Sequence, residues 1–430
     1  MKKNYYNVLG KGFLSLMAVA SVASCVDLED DVPTPPNKHK DLTQEQKDSI
    51  YADSITKLCN VQLIQRHSQG DGFHVIIMGD GFTQSDISNG KFTNAVQAAQ
   101  TAMFEKEPMR SLRNYVDVFS ISIPSTHDGV DYTKRNTGLR TSLSSGNDSG
   151  VYGDSLTILN CACKALIDQY NIKQQAERNN RINKTLVITL LNTNIYKGVT
   201  LLAADETVTD RIPNGYSISY VPAYATVDNL NVFNYLIRHE GVGHGIAKLA
   251  DEYSYNNGKT PSDDVINKYT ELYQYGFYQN TTYSAYANTW NQMYNINSSS
   301  WIYAFTQNEN YAAEDLHWYV GAYEYTTKFL RFGDYSIMNG TQKENDPSYN
   351  ANNEVFNVVS RAMIYKRIMR AASPSWTWDV NTFITFDAPG RKTVSSNMRG
   401  VKTATKTEVV NLPELAAPRI IKLPAAKLAK

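Results

Sequence analysis

The sequence predicts an α/β fold in which helices pack on a mixed β-sheet. Two observations favour this class. Short apolar or alternating segments that suit strands take turns with longer segments that suit helices through the first half of the chain. Hydrophobic residues make up 42% of the 430 residues, which is enough to build a large globular core.

The predicted elements follow one another in a regular order. The first half reads as helix, strand, strand, helix, strand, helix and strand, in the order Asp41–Leu58, Val61–Gln65, Phe73–Met78, Ser85–Phe104, Tyr115–Ile123, Ser155–Tyr170 and Thr185–Leu191. Two short strand candidates, Val199–Ala204 and Ser217–Tyr220, precede a helix that carries two histidines. The chain from Tyr253 to about Tyr325 is predicted to be loop-rich, and Asn352–Met369 to be a further helix.

The N-terminus has the pattern of a targeting segment. Two lysines precede an apolar stretch, Leu9–Ala23, which is short for a membrane span and contains Gly and Ser. Val22-Ala23-Ser24-Cys25 then resembles the cleavage box of bacterial lipoproteins, in which the cysteine is lipidated. An ordinary signal peptide or a membrane helix is the alternative interpretation.

This interpretation divides the chain. Residues 1–24 are predicted to be a lipoprotein signal peptide and residues 25–45 a lipid-anchored tether, because the segment after Cys25 is acidic and then rich in proline. The acidic residues after Cys25 resemble a surface-export signal of Gram-negative lipoproteins. We therefore expect the protein in the cell envelope of a Gram-negative bacterium, anchored at the outer membrane or the cell surface through lipid on Cys25.

Charge and cysteine content argue against other functions. Lys+Arg and Asp+Glu both number 42, so the net charge near zero gives no basis for a nucleic-acid partner. Apart from Cys25, three cysteines remain, which is an odd number for a disulfide framework. Cys161 and Cys163 are two residues apart, cannot easily form a disulfide within regular structure, and are interpreted as buried core thiols.

The most informative segment is His239-Glu240-Gly241-Val242-Gly243-His244. Two histidines with a glutamate beside the first are parts of a zinc hydrolase site, and in the usual H-E-x-x-H form both histidines lie on one helix face. Here the second histidine comes one residue later. In a regular α-helix a separation of five residues turns two side chains about 140° apart, so His244 would point away from an ion bound by His239.

A one-turn π-bulge would absorb the extra residue and return both histidines to one face. Gly241 and Gly243 suit such a distortion, and since each would cost a regular helix about 1 kcal/mol relative to Ala, we expect them to serve a structural purpose. The segment also resembles the H-E-x-x-G-H zinc motif of dipeptidyl peptidase III over six residues. The insertion is therefore compatible with zinc binding.

A catalytic zinc needs a third protein ligand and an open position for water. Asp251 and Glu252 are the nearest carboxylates after His244. In a straight helix Asp251 would lie about 10 Å beyond His244, whereas a helix that ends near residues 245–249 would let the returning chain bring either carboxylate to the ion. We predict Asp251 as the ligand and keep Glu252 as the alternative ligand or as support for the ligands.

A second segment, Ser336-Ile337-Met338, precedes a turn and resembles the Met-turn of metzincin peptidases, in which a methionine lies beneath the metal. With His74–Phe82, Tyr115–Ser125 and the ending Leu249–Tyr253, these residues resemble the family of zinc metallopeptidases named for bacterial IgA endopeptidases. The resemblance spans about His74 to Arg370 and implies a zincin-like or metzincin-like mixed sheet with an active-site helix. Members mostly carry H-E-x-x-H, so the spacing here is a departure.

The resemblance implies a zinc metallopeptidase domain over residues 46–375. The composition then changes to Thr, Val, Lys, Pro and Ala, which predicts a C-terminal appendage of irregular strands or a tail over residues 376–430. The resemblance also implies hydrolysis of peptide bonds in an extracellular protein or peptide, with Zn²⁺ bound by His239, His244 and Asp251. Glu240 is then the general base. Tyr253 either stabilises the oxyanion or supports the helix end. The alternative is a catalytically inactive, surface-binding lipoprotein built on the same scaffold.

Overall fold

The computed structural model describes residues 42–132, 137–145, 150–204, 211–227, 230–254, 260–312, 314–333, 336–339, 355–388 and 415–421. The predicted signal peptide, Cys25 and most of the predicted tether lie outside these residues. In the part of the chain that is described, no helix combines the length and the apolar character needed to span a bilayer.

Strands β1 to β15 follow in chain order. They are β1 (Asn60–Gln65), β2 (Phe73–Asp80), β3 (Val116–Ser122), β4 (Ser142–Leu143), β5 (Val151–Tyr152), β6 (Thr185–Leu191), β7 (Val199–Ala203), β8 (Ser217–Pro222), β9 (Thr226–Val227), β10 (Leu230–Asn231), β11 (Thr281–Tyr283), β12 (Met293–Tyr294), β13 (Trp318–Ala322), β14 (Tyr325–Phe332) and β15 (Arg419–Ile421). Seven of them form a sheet in the order β1-β3-β2-β6-β8-β7-β15.

Helices α1 to α10 connect and cover the strands. They are α1 (Gln44–Leu58), α2 (Gln84–Ser88), α3 (Lys91–Phe104), α4 (Met109–Leu112), α5 (Ser155–Tyr170), α6 (Gln175–Asn183), α7 (Phe233–Leu236), α8 (Asp263–Gln274), α9 (Tyr303–Thr306) and α10 (Val358–Ala372). A π-helix, Ile237–Ile246, continues α7 and contains both histidines; it is called the motif helix below. Residues 380–388 are also helical.

The seven-stranded sheet is mixed. Its centre, β3, β2, β6 and β8, is parallel, while β1 and β7 run antiparallel to their neighbours β3 and β8. The strands β2, β3 and β6 are buried along their whole length, as expected for parallel strands that are covered on both faces. The prediction of an α/β fold with a mixed sheet is confirmed.

The alternation of side chains along β2 divides the core into two layers. Val75 and Ile77 face a layer formed by α3, α10 and the motif helix, whereas Ile76 and Met78 face α1 and α5. Cysteines 59, 161 and 163 are free and buried in the second layer, which confirms that the latter two are core thiols. The motif helix is therefore held against one face of the sheet.

Two stretches differ from the prediction. The segment Ser85–Phe104 is two helices rather than one, because Gly90 between α2 and α3 has a left-handed backbone with φ of 87°. The region from Tyr253 to Tyr325 contains α8 and three strands of a sheet with the order β11-β14-β13-β12. Its tyrosines build a core with Phe329, so a region that was predicted to be loop-rich forms a packed subdomain.

The chain beyond residue 375 also contacts the main body. Trp376, Trp378 and Phe383 pack against the core layer that contains α10. β15 pairs in parallel with β7 and is the last strand of the large sheet. β7 therefore has a strand on each side, β8 and β15. Residues 389–414 and 422–430 lie outside the described part.

Candidate metal centre

The motif helix is a π-helix along all ten residues of Ile237–Ile246. Each backbone N–H of a π-helix bonds to the carbonyl five residues earlier, so residues five apart are neighbours on one face. The winding of the helix thus accommodates the extra residue, and His239 and His244 face the same side. The predicted π distortion is confirmed, although it extends well beyond a single turn.

Gly243 allows the motif helix to approach the segment Ser336–Asn339. A Cβ atom at Gly243 would collide with Sδ of Met338 and lie 3.0 Å from its Cε. Ile337–Asn339 forms a short 3₁₀-helix, and the backbone carbonyl of Met338 accepts a hydrogen bond from the Glu252 N–H at 2.8 Å. The Met-turn-like segment therefore contacts both the motif helix, at Gly243, and the chain that follows the helix, at Glu252.

The side chains of His239, His244 and Asp251 meet in the interior. The two Nε2 atoms are 3.2 Å apart, and each lies 3.2 Å from Oδ1 of Asp251. All three residues are buried. These are the three residues, among those described, that can present one ligand atom each to a common ion.

Backbone carbonyls fix the orientation of both imidazoles. Nδ1 of His239 lies 3.1 Å from the carbonyl oxygen of Ile337, and Nδ1 of His244 lies 2.8 Å from that of Leu249. A carbonyl can only accept, so the proton of each neutral ring is on Nδ1 and the lone pair of each Nε2 points to the centre. Neither oxygen of Asp251 accepts a hydrogen bond. Three electron-rich atoms therefore converge without a proton between them.

This arrangement fits a divalent cation with tetrahedral geometry. Zinc bonds to nitrogen and oxygen of about 2.0–2.1 Å imply separations of about 3.3 Å between ligand atoms, close to the distances found here. Two neutral imidazoles and one carboxylate leave a fourth position open, as in catalytic zinc sites.

The turn after the motif helix decides between the two predicted carboxylates. The helix ends at Ile246, and Lys248 adopts a left-handed backbone with φ of 54°, which returns the chain toward the histidines. Asp251 enters the group, whereas Glu252 lies outside it. Oε1 of Glu252 accepts hydrogen bonds from Asn280 at 2.9 Å and Asn357 at 3.1 Å, and burial raises the pKa of Glu252 to about 7.

Glu240 is buried beside the ligand group and is held by the sheet. Thr200 on β7 donates its hydroxyl to Oε2 of Glu240 at 2.7 Å, while Ser219 on β8 donates to the Glu240 backbone carbonyl at 3.0 Å. Oε1 of Glu240 has no hydrogen-bond partner. Burial raises the pKa of Glu240 to about 7, against the opposing effects of His239 and Thr200.

Gly198 covers the open oxygen of Glu240. A Cβ atom at this position would lie 2.8 Å from Oε1, so only glycine permits this approach. Gly198 immediately precedes β7, which places the start of that strand against the carboxylate. The predicted base thus faces the strand that lies next to the motif helix.

Tyr253 does not face open solvent. Its hydroxyl donates a hydrogen bond to the backbone carbonyl of Leu415 at 3.2 Å, and both residues are buried. The backbone carbonyl of Tyr253 accepts from Glu324 at 3.2 Å. The predicted tyrosine therefore joins the end of the motif to the C-terminal segment.

Several residues of the site were not predicted from the sequence. Thr200 is the only polar residue in Val-Thr-Leu-Leu-Ala of β7, and that break in an apolar strand was the available signal. Asn280 and Asn357, which hold Glu252, carry no local pattern, since each comes from a distant part of the chain. Leu415 lies in a segment whose composition predicted only an irregular appendage or a tail.

The comparisons with known proteins agree with this geometry. The family model described as IgA Peptidase M64 matches residues 61–309, which is more than half of the chain. The match includes the motif helix, Asp251 and Tyr253, and ends before Ser336–Asn339 and α10. No curated protein matches the chain.

Proposed function

Because the chain belongs to the IgA peptidase M64 family, we propose that this metallopeptidase depends on zinc held by His239, His244 and Asp251. We further propose that it is an endopeptidase that cleaves bonds within an extracellular protein or peptide. One observation carries the proposal. Three ligand atoms converge at mutual distances of 3.2 Å with no hydrogen-bond donor between them. A cation bound at their centre would stabilise this arrangement, because without it the lone pairs of the three atoms repel one another.

Zinc in this position would act as a Lewis acid and bring the pKa of a water molecule in the open position toward 7. The remaining chemistry belongs to the chain. Oε1 of Glu240, which lies against Gly198 and has no hydrogen-bond partner, can take the proton of the attacking water. The same carboxyl then gives that proton to the amide nitrogen as the C–N bond breaks. Thr200 holds Oε2 and keeps the carboxyl group in one orientation.

The position of β7 supports recognition of an extended peptide. β7 runs antiparallel to β8, and Gly198 at its start lies against Glu240. A peptide that pairs with β7 in place of β15 would align its backbone beside the base, as in the strand-addition mode of recognition. Substrate side chains would then be selected by the loops around the cleft.

The test compares the wild type with Glu240→Gln on a library of quenched-fluorescent peptides. Glutamine keeps the shape and the Thr200 contact but cannot take a proton. We expect the variant to keep its zinc and to lose cleavage by a factor of about 10² to 10⁴. Glu252→Gln is the matched control, since Glu252 lies outside the ligand group. Cleavage by Glu240→Gln at the wild-type rate would contradict the mechanism.

A second result would favour the alternative function. If the wild type binds one zinc but cleaves no peptide in the library, the result favours the alternative, a catalytically inactive surface-binding lipoprotein on a peptidase scaffold. The presence of Glu240 favours the enzyme, because this side chain is needed for proton transfer and not for binding the ion.

We also propose that lipid on Cys25 anchors the protein in the cell envelope, at the outer membrane or the cell surface of a Gram-negative bacterium. The small residues before Cys25 and the acidic residues after it support this proposal. Mass spectrometry of the N-terminal peptide from membranes should find a diacylglyceryl group on Cys25. A Cys25→Ala variant that fractionates with membranes as the wild type does would contradict it.

A further inference from the structure

The last strand of the large sheet comes from the C-terminal part of the chain. β15 pairs in parallel with β7, and Arg419, Ile420 and Ile421 lie opposite Leu201, Leu202 and Ala203. β7 has β8 on its other side. The hydrogen-bonding edge of β7 that faces away from the sheet is therefore filled by residues of the same chain.

The segment Leu415–Ile421 also reaches the residues that follow the predicted ligand. Its Leu415 carbonyl accepts the hydrogen bond of Tyr253, which is two residues after Asp251. The Leu415 side chain is buried in the core layer that contains Met338 and Phe356. Leu415 is therefore held in two ways: its side chain packs in an apolar core layer, and its backbone carbonyl accepts a hydrogen bond.

The segment is bound as an extended peptide ligand is bound. Three residues pair with β7, and Ala416 through Ile421 are only half-buried. Ile420 and Ile421 contact different core layers of the sheet, as alternate side chains of an added strand do. Pro418 precedes the paired residues and has no N–H to extend the ladder.

We propose that Leu415–Ile421 occupies the peptide-binding edge of β7 in the resting protein, and that a substrate peptide must displace it. This inference rests on the proposed function, because it assigns to β7 the role of substrate edge. Backbone pairing of β7 with Arg419–Ile421 and with a substrate are mutually exclusive. The occupant therefore lowers the fraction of chains that are competent to bind substrate.

The test releases the segment in the full chain. Leu415→Asp with Ile420→Asp places two charges where buried or half-buried apolar side chains lie. Ile50→Asp is the matched control, because Ile50 is 50% exposed on α1. If the segment fills the cleft nine-tenths of the time, release lowers the apparent KM for peptides about tenfold. The control should leave KM unchanged.

A second preparation covers the case in which the double variant fails to fold. A site-specific protease sequence is inserted between residues 389 and 414, the full chain is folded, and the released C-terminal piece is removed by dialysis after cutting. Addition of the synthetic peptide Leu-Ala-Ala-Pro-Arg-Ile-Ile, the sequence of residues 415–421, should then inhibit competitively and raise KM. An unchanged KM on release, or no inhibition by the peptide, would overturn the inference.

Binding without catalysis separates this inference from the proposed function. The fluorescein-labelled heptapeptide is titrated into metal-free protein and followed by anisotropy. Binding to the released chain and at least about tenfold weaker binding to the intact chain supports occupancy of the cleft, even if no preparation cleaves any peptide. Equal affinity for both, or none for either, contradicts it. Absence of cleavage in all preparations would count against the peptidase proposal alone.

Discussion

Thr200 donates its hydroxyl hydrogen bond to Oε2 of Glu240 across 2.7 Å, from the sheet to the motif helix. Ser219 on the neighbouring strand bonds to the backbone carbonyl of the same glutamate at 3.0 Å. Thr200 on β7 therefore orients the carboxyl group, while Ser219 on β8 holds the backbone of the same residue. This leaves Oε1 to accept a proton, while Oε2 is held in place.

Replacement of Thr200 by valine removes that bond and keeps the shape of the side chain. We expect kcat to fall about 10-fold to 100-fold, because Glu240 loses its fixed orientation and Oε2 loses its donor. KM and zinc content should stay close to the wild-type values. Thr200→Ser retains the hydroxyl and should recover most of kcat. Equal kcat for the valine variant and the wild type would show that Thr200 does not position the base.

Gly243→Ala should destabilise the protein through Met338. The added methyl group meets Sδ of Met338, and overpacking of this kind costs about 1–3 kcal/mol, in spite of the better helix propensity of alanine. Urea unfolding of both single variants and of Gly243→Ala with Met338→Ala completes a double-mutant cycle. A coupling energy near zero would mean that the two residues do not contact each other in the folded protein.

Substitutions of Asp251 and Glu252 should have different effects on zinc binding and on stability. Asp251→Asn is expected to weaken zinc binding more than about 100-fold, because it removes the anionic ligand. Glu252→Gln should change zinc affinity by less than about 10-fold and lower stability by about 1–3 kcal/mol, since its contacts with Asn280 and Asn357 are disturbed. Competition with a chromophoric chelator measures both affinities. A larger loss of affinity for Glu252→Gln would reverse the assignment.

The parts of the candidate site that lie close together in the chain could be proposed from the sequence alone. His239, His244 and Glu240 lie within six residues, and the five-residue spacing itself predicted a π distortion. The third ligand could be narrowed to Asp251 or Glu252, because the helix was expected to end between His244 and these two residues. The choice between Asp251 and Glu252 depended on the left-handed turn at Lys248 and on amides from Asn280 and Asn357.

The parts that could not be predicted depend on contacts between distant segments. Thr200 reaches Glu240 only because β7 lies beside the motif helix, and Leu415 reaches Tyr253 from the other end of the chain. The tyrosines of α8 and its neighbouring sheet suggested a polar loop region, since a phenol is compatible with both solvent and core. Tertiary packing decided each of these cases.

Asp117 gives a pH-dependent contribution to stability away from the metal centre. Burial alone would raise the pKa of this carboxyl, but Nδ1 of His74 at 3.2 Å and hydrogen bonds from Tyr170 and His67 hold the pKa well below its usual range. A group with a lowered pKa stabilises the fold fully above its unfolded value of about 4 and loses that contribution as the pH falls further.

Asp117→Asn should therefore cost about 3 kcal/mol of unfolding free energy at pH 6, and this difference from the wild type should shrink as the pH approaches 3. Urea unfolding at intervals of half a pH unit measures it. Asp53→Asn on the exposed face of α1 serves as the control, and its difference from the wild type in unfolding free energy should not change with pH. A difference that stays constant over this range would contradict the lowered pKa.

Zinc content most directly tests the central claim, that a π-helix brings two histidines five residues apart onto one ion. Protein that starts after Cys25 and the same protein with His244→Ala are dialysed against zinc and then against buffer, and are measured by elemental analysis. The account predicts about one zinc per chain in the first and almost none in the second. No zinc in the first protein, or the same content in both, would mean that His244 does not bind the metal.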